Sequence, residues 1–145
     1  MYNYTTFFID KIKAFALADV GLNAVLPQDN ITKKQNPESA VFPSVVVQTI
    51  ENNPVSHTFT QEAMTNAGVQ IDISCMDMLI GGVFTSASDA CDYISMKIAD
   101  YLEYDLRLAR ITSTDPIVID IENHVFSCFL RYRIKHDLLN NLISK

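Results

Sequence analysis

With 145 residues, the chain has the length of one domain and too little for two well-formed cores. Hydrophobic residues make up 48% of it, Trp is absent, and only 4 Gly and 5 Pro are present, which excludes collagen-like, linker-rich and disordered classes. A net charge of −6 argues against a general nucleic-acid binder, which needs a basic surface to displace counterions.

In chain order, residues 4–20 read as a helix, because Phe8, Ile12, Phe15 and Ala16 recur at steps of three and four. Thr5 or Thr6 can cap its start and Gly21 can end it, while Asp10, Lys11, Lys13 and Asp19 occupy the solvated side. Residues 27–42 lose periodicity and read as a long polar loop. Pro43 then opens a β-branched run (Val45, Val46, Val47, Ile50) that predicts a strand over 43–50, covered at least in part on both sides. A second polar stretch, 51–67, has room for a short strand at Thr58–Thr60. Alternation follows, with Val69, Ile71, Ile73 and Cys75 on one face and Gln70, Asp72, Ser74 and Met76 on the other. The two strands are expected to pair antiparallel across the excursion.

Gly81 and Gly82 read as a hinge or turn. The strongest helical repeat, 86–106, carries Ala87, Cys91, Ile94, Ile98 and Leu102 inward. Its outer side holds Asp89, Asp92, Asp100, Glu103 and Asp105 against Lys97 alone. Strands are expected over 107–113 and 117–122, split by Asp115–Pro116, and over 124–135. The last sets Phe126, Cys128, Leu130, Tyr132 and Ile134 inward and Ser127, Arg131, Arg133 and Lys135 outward. Residues 137–145 are left as a short helix or a flexible tail. The order α-β-β-α-β-β predicts one α+β domain with an antiparallel or mixed sheet of four to five strands and two helices packed on it.

Nothing in this pattern builds a catalytic or metal site, and no cofactor is expected. Cys75, Cys91 and Cys128 are an odd number at wide spacings without CxxC, and all fall on inward faces, where a free Cys acts as a small hydrophobe. They fit a reducing, intracellular place of synthesis. His57, His124 and His136 have no metal-ligand spacing. Asp120 and Glu122 share a strand face, and are expected to be solvated or paired with Arg131 or Arg133 rather than to do acid–base work. Gly81–Gly82 lacks the context of a phosphate cradle. The N-terminus, with Asp10 and no early cation before an apolar run, does not read as a signal peptide, and no stretch approaches the ~20 apolar residues of a membrane span.

The charges are more informative. The stripe Arg131, Arg133, Lys135 and the acidic side of the 86–106 helix are either ordinary solvated surface or, in the functional reading, partners across a head-to-tail boundary between copies. Taken with the N-terminal helix, the Phe42-Pro43-Ser44-Val45-Val46-Val47 opening, the strand Val69-Gln70-Ile71-Asp72-Ile73-Ser74, the Ser/Ala-rich helix start and the final Arg131-Tyr132-Arg133, the layout resembles the tail terminator and tail completion proteins of tailed bacteriophages. That resemblance spans residues 4–135 and implies a structural, non-enzymatic virion subunit, made in the host cytoplasm. It would form a ring, six-membered in this family, at the head–tail junction. Its implied partners are its own copies, the tail tube and the connector, with DNA passing through unbound and no membrane involved. The loops then become arms reaching neighbouring rings, with Lys33, Lys34, Asn53, His57 and Phe59 as candidate contacts. The alternative is a small ligand-binding or regulatory α+β module, which needs a cavity of apolar walls with convergent polar groups.

Overall fold

A computed structural model of the chain describes residues 4–33, 41–51 and 67–134. Helix α1 (Tyr4–Ala18) buries Phe8, Ile12 and Ala16 completely, and Phe15 stacks on Tyr101 at 4.5 Å between ring centroids. The helix ends before the expected boundary at Gly21. Asp19 stops it by capping a second helix, α2 (Val20–Val25), its Oδ1 accepting from the Leu22 amide at 2.9 Å. Gly21 lies inside α2, where a Cβ would stand 2.6 Å from the Tyr93 hydroxyl, so any larger residue there must displace that side-chain tip.

Part of the expected loop at 27–42 is ordered structure. A single helical turn, Gln28–Asn30, leads into strand β1 (Ile31–Thr32), which pairs parallel with β2 (Ser44–Glu51). Ile31 and Leu26 supply the reason, since both are buried in the core and pin the chain to it. Strand β3 (Ala67–Cys75) pairs antiparallel with β2 along its whole length, from Ser44↔Ser74 to Glu51↔Ala67, as its alternation predicts.

Gly81 and Gly82 form the turn of a small hairpin that the sequence reading missed, β4 (Met78–Ile80) with β5 (Val83–Thr85). Their φ angles of 60° and 78° are the left-handed pair that a tight two-residue hairpin demands. Helix α3 (Ala87–Asp100) is capped twice: Ser86 Oγ accepts from the Asp89 amide, and Asp77 accepts from the Ala87 amide at 2.8 Å. It ends in one wider π turn, Tyr101–Asp105. Strands β6 (Ala109–Ser113), β7 (Ile117–Asp120) and β8 (Val125–Ile134) complete the chain as described.

The architecture is α+β. Six strands form a mixed sheet in the order β1-β2-β3-β8-β6, with β7 also paired to β8, so β6 and β7 lie end to end along one edge. Helices α1 and α3 cover one face, where Val45, Val47, Val69, Ile71, Ile73, Leu130 and Tyr132 meet Phe8, Ile12, Ile94, Ile98 and Leu102 in one core. Each large apolar side chain fully buried there contributes about 1.5–3 kcal/mol. The observed element order is richer than the expected elements by α2, β1 and the β4–β5 hairpin, while the three closing strands stand where they were expected. The expectations for 52–66 and for 137–145 fall outside the described residues.

Candidate interaction surfaces

The helix-free face of the sheet is polar and internally tied. Pairing sets Gln48, Gln70 and Arg131 in one row and Val46, Asp72 and Phe129 in the next. The Asp72 carboxylate accepts from Gln48 Nε2 at 2.6 Å and from Gln70 Nε2 at 2.9 Å. Gln70 Oε1 in turn accepts from the Arg131 guanidinium at 2.6 Å, and that guanidinium lies 5.6 Å from the Phe129 ring centre. Arg131 is therefore held flat on the sheet, while Arg133 is exposed. Ser74 donates to Ser127 at 3.1 Å, and among the described residues the buried Ser44 Oγ has no partner.

On the helix layer, Asp89, Asp92 and Asp100 are exposed along α3, as expected. Glu103 is not free in the same way. The π turn aims it at Arg110 of β6, with which it forms an ion pair, and it also accepts from the buried Tyr132 hydroxyl at 3.1 Å. Burial first, with the Glu103 charge behind it, pushes the Tyr132 phenol well above its ordinary value. The acidic side of α3 and the Arg131–Arg133 stripe thus lie on opposite faces of the two layers. Lys135 of that stripe lies outside the described residues.

Asp120 and Glu122 correct a second expectation. Strand β7 stops at Asp120, and Glu122 falls in the following turn, so they share no strand face. Asp120 accepts from the Asn123 side chain at 2.8 Å and from the Asn123 and Glu122 amides, which holds its carboxyl below the usual range; neither acid pairs with Arg131 or Arg133.

The cysteines meet in the core. Cys91 of α3 reaches the seam of β3 and β8, donating to the Phe126 carbonyl at 3.2 Å. Its contact with Cys128 favours the thiolate, but its contact with Cys75 and burial outweigh that and push Cys91 up to about 12. Cys128 is pushed higher still by Cys91 and by burial. All three are free, buried thiols. Among the described residues, no group of three or more His, Cys, Asp or Glu is arranged to hold a metal ion.

The feature that sequence reasoning missed is apolar. Along the β6–β7 edge, Ile111, Ile117, Val118, Ile119 and Ile121 are 45–78% exposed. A second apolar surface is the β4–β5 hairpin, whose cross-strand pair Leu79 and Phe84 is 63% and 68% exposed. The signals were present: a two-glycine turn inside the uncharged run 78–85, and Ile-Val-Ile set between two aspartates at 115 and 120. Lys33 is exposed at the end of β1, and with Ile119 it rims a groove of about 380 Å³ floored by Val46, Gln48, Asp72, Ser74 and Ser127. The helix-free face is therefore concave. Lys34, Asn53, His57 and Phe59 lie outside the described residues, and no described helix is long and apolar enough to cross a membrane. No family model, curated protein or solved structure matches the chain.

Proposed function

We propose that this chain is a structural subunit that joins copies of itself into a ring, and that the ring sits at the head–tail junction of a tailed phage. The self-assembly part rests on one observation, the apolar ledge along β6 and β7. Four β-branched side chains on an open sheet edge, with Ile121 in the turn beyond, are a liability for a solitary domain, because such an edge recruits other chains. An assembly subunit turns that liability into its contact. The phage setting rests on the resemblance of element order and motifs, with DNA passing the ring unbound.

The ledge, rather than the charged surfaces, is the lateral contact in this reading. Arg131 and Glu103 are engaged within their own chain, and the remaining charges stand on opposite faces. That leaves the α3 aspartates and Arg133 for axial neighbours such as the tail tube and the connector. The test is Ile117→Lys combined with Ile119→Lys. Self-association measured by light scattering should be lost while circular dichroism and melting stay near wild type, since both side chains are solvent-facing. Unchanged association would remove the ledge from the account. Among the described residues, the observation that favours a ligand-binding module is the 380 Å³ groove, whose floor mixes a carboxylate, an amide and hydroxyls with a single valine.

A further inference from the structure

We infer that the surface seated on the β6–β7 ledge is the β1 edge of a second copy of this chain, so that neighbouring sheets join side by side with Lys33 facing Asp115. The inference rests on the self-assembly reading above and names its contact.

Strand direction is the first argument. β1 runs parallel to β2, and each of the three pairings from β2 through β3 and β8 to β7 is antiparallel. β1 and β7 therefore run in opposite directions at opposite edges of one sheet. Two copies placed side by side in the same orientation bring β7 of one antiparallel to β1 of the next, the arrangement in which an edge most readily gains a strand.

Charge supplies the second. Asp115 and Asp120 bracket the apolar Ile117–Ile119 segment. A twofold β7–β7 contact, necessarily antiparallel, would set Asp115 of each copy toward Asp120 of the other, and like charges across an edge disfavour it. The β1 edge instead offers a cation, the exposed Lys33 directly after Thr32.

Height along the strands is the third. Pairing carries Ile31 across to Val45, Ile73 and Cys128, and Thr32 to Val46, Asp72 and Phe129. On the far edge, Thr114 bonds Phe129 and Ile117 pairs with Ser127, so Asp115 stands at that same level between them. Side-by-side copies thus meet with Asp115 level with Ile31, and with Lys33, which continues to the level of Leu130, about two residues further along and within the reach of a lysine side chain; joining by edges also places every helix on one side of the assembly.

The experiment is a charge swap with cross-linking in the full chain. Lys33→Glu and Asp115→Lys should each weaken self-association roughly two- to fivefold, the range of an exposed ion pair, and the double variant should recover wild-type assembly. In parallel, a Lys33→Cys chain mixed with an Asp115→Cys chain under glutathione disulfide should give disulfide-linked heterodimers. Recovery and heterodimers support the contact. Cross-linked heterodimers of the Asp115→Cys chain with an Asp120→Cys chain would establish the twofold edge instead and overturn the inference. Full assembly with no cross-link and no swap effect would likewise overturn it, leaving the self-assembly reading intact. A wild-type chain that does not assemble removes both.

Discussion

At the residue scale, the polar side chains of this protein mostly hold structure together. Asp19 caps α2 and also receives Lys97 at 3.3 Å; the Leu22 amide chiefly, with Lys97 assisting, lowers its carboxyl below the ordinary 3.8. A carboxylate with a lowered folded-state pKa gives stability that is present above its unfolded value and lost as pH falls through the folded one. Asp19→Ala should therefore lower stability by about 1 kcal/mol at neutral pH, the usual cost of a lost cap, with the difference from wild type fading in acid, as pH falls below the ordinary 3.8. Urea titration at both pH values checks this. The cysteines give a second prediction. With Cys91 raised to about 12 and all three thiols buried, a thiol reagent at pH 8 should label none in the native state and three in urea. Fast labelling of Cys128 in native protein would reopen a nucleophilic role. These thiols could be assigned to the core from strand and helix periodicity alone. The Glu103–Arg110–Tyr132 cluster could not, because the π turn that aims Glu103 inward breaks the 3.6-residue repeat from which an outward position was read.

At the element scale, long periodic segments were legible and short ones were not. β2, β3, β8 and α3 each bury a continuous row of side chains, and that row is visible as alternation or helical spacing. Ile94 and Ile98, fully buried on α3, should cost about 2–5 kcal/mol each when cut to Ala, read as loss of urea midpoint at constant slope. The two-residue β1 has no period to read; only the burial of Ile31 against the core reveals it. The break between α1 and α2 was missed because Asp19 looked like one more solvated charge, whereas its side chain caps the next helix. The β4–β5 hairpin depends on Gly81 and Gly82. Gly82→Val should destabilise the hairpin by about 1–2 kcal/mol through its left-handed φ, seen as faster amide exchange at Leu79 and Phe84 than at the β3–β8 core.

At the scale of the whole molecule, one sheet is covered by helices on one face, is polar and concave on the other, and ends in an apolar edge. Alternation tells which residues of a strand share a face. It does not tell which strand lies at the border, so the exposure of Ile117 and Ile119 could be read only once β7 was placed on the rim. The expected acid–base boundary illustrates the same limit, since the sequence marks Arg133 and Asp92 as outward without saying that they face opposite ways. Charge reversal at Arg133 should accordingly leave lateral association within about twofold of wild type, whereas lysines at 117 and 119 should abolish it. The most direct measurement is the mass of the particle in solution across a wide concentration range, by sedimentation velocity with electron microscopy of the same sample. Closed rings of several 16.3 kDa copies are predicted. A single 16.3 kDa species at every concentration, unchanged by added tail tubes, would contradict the account.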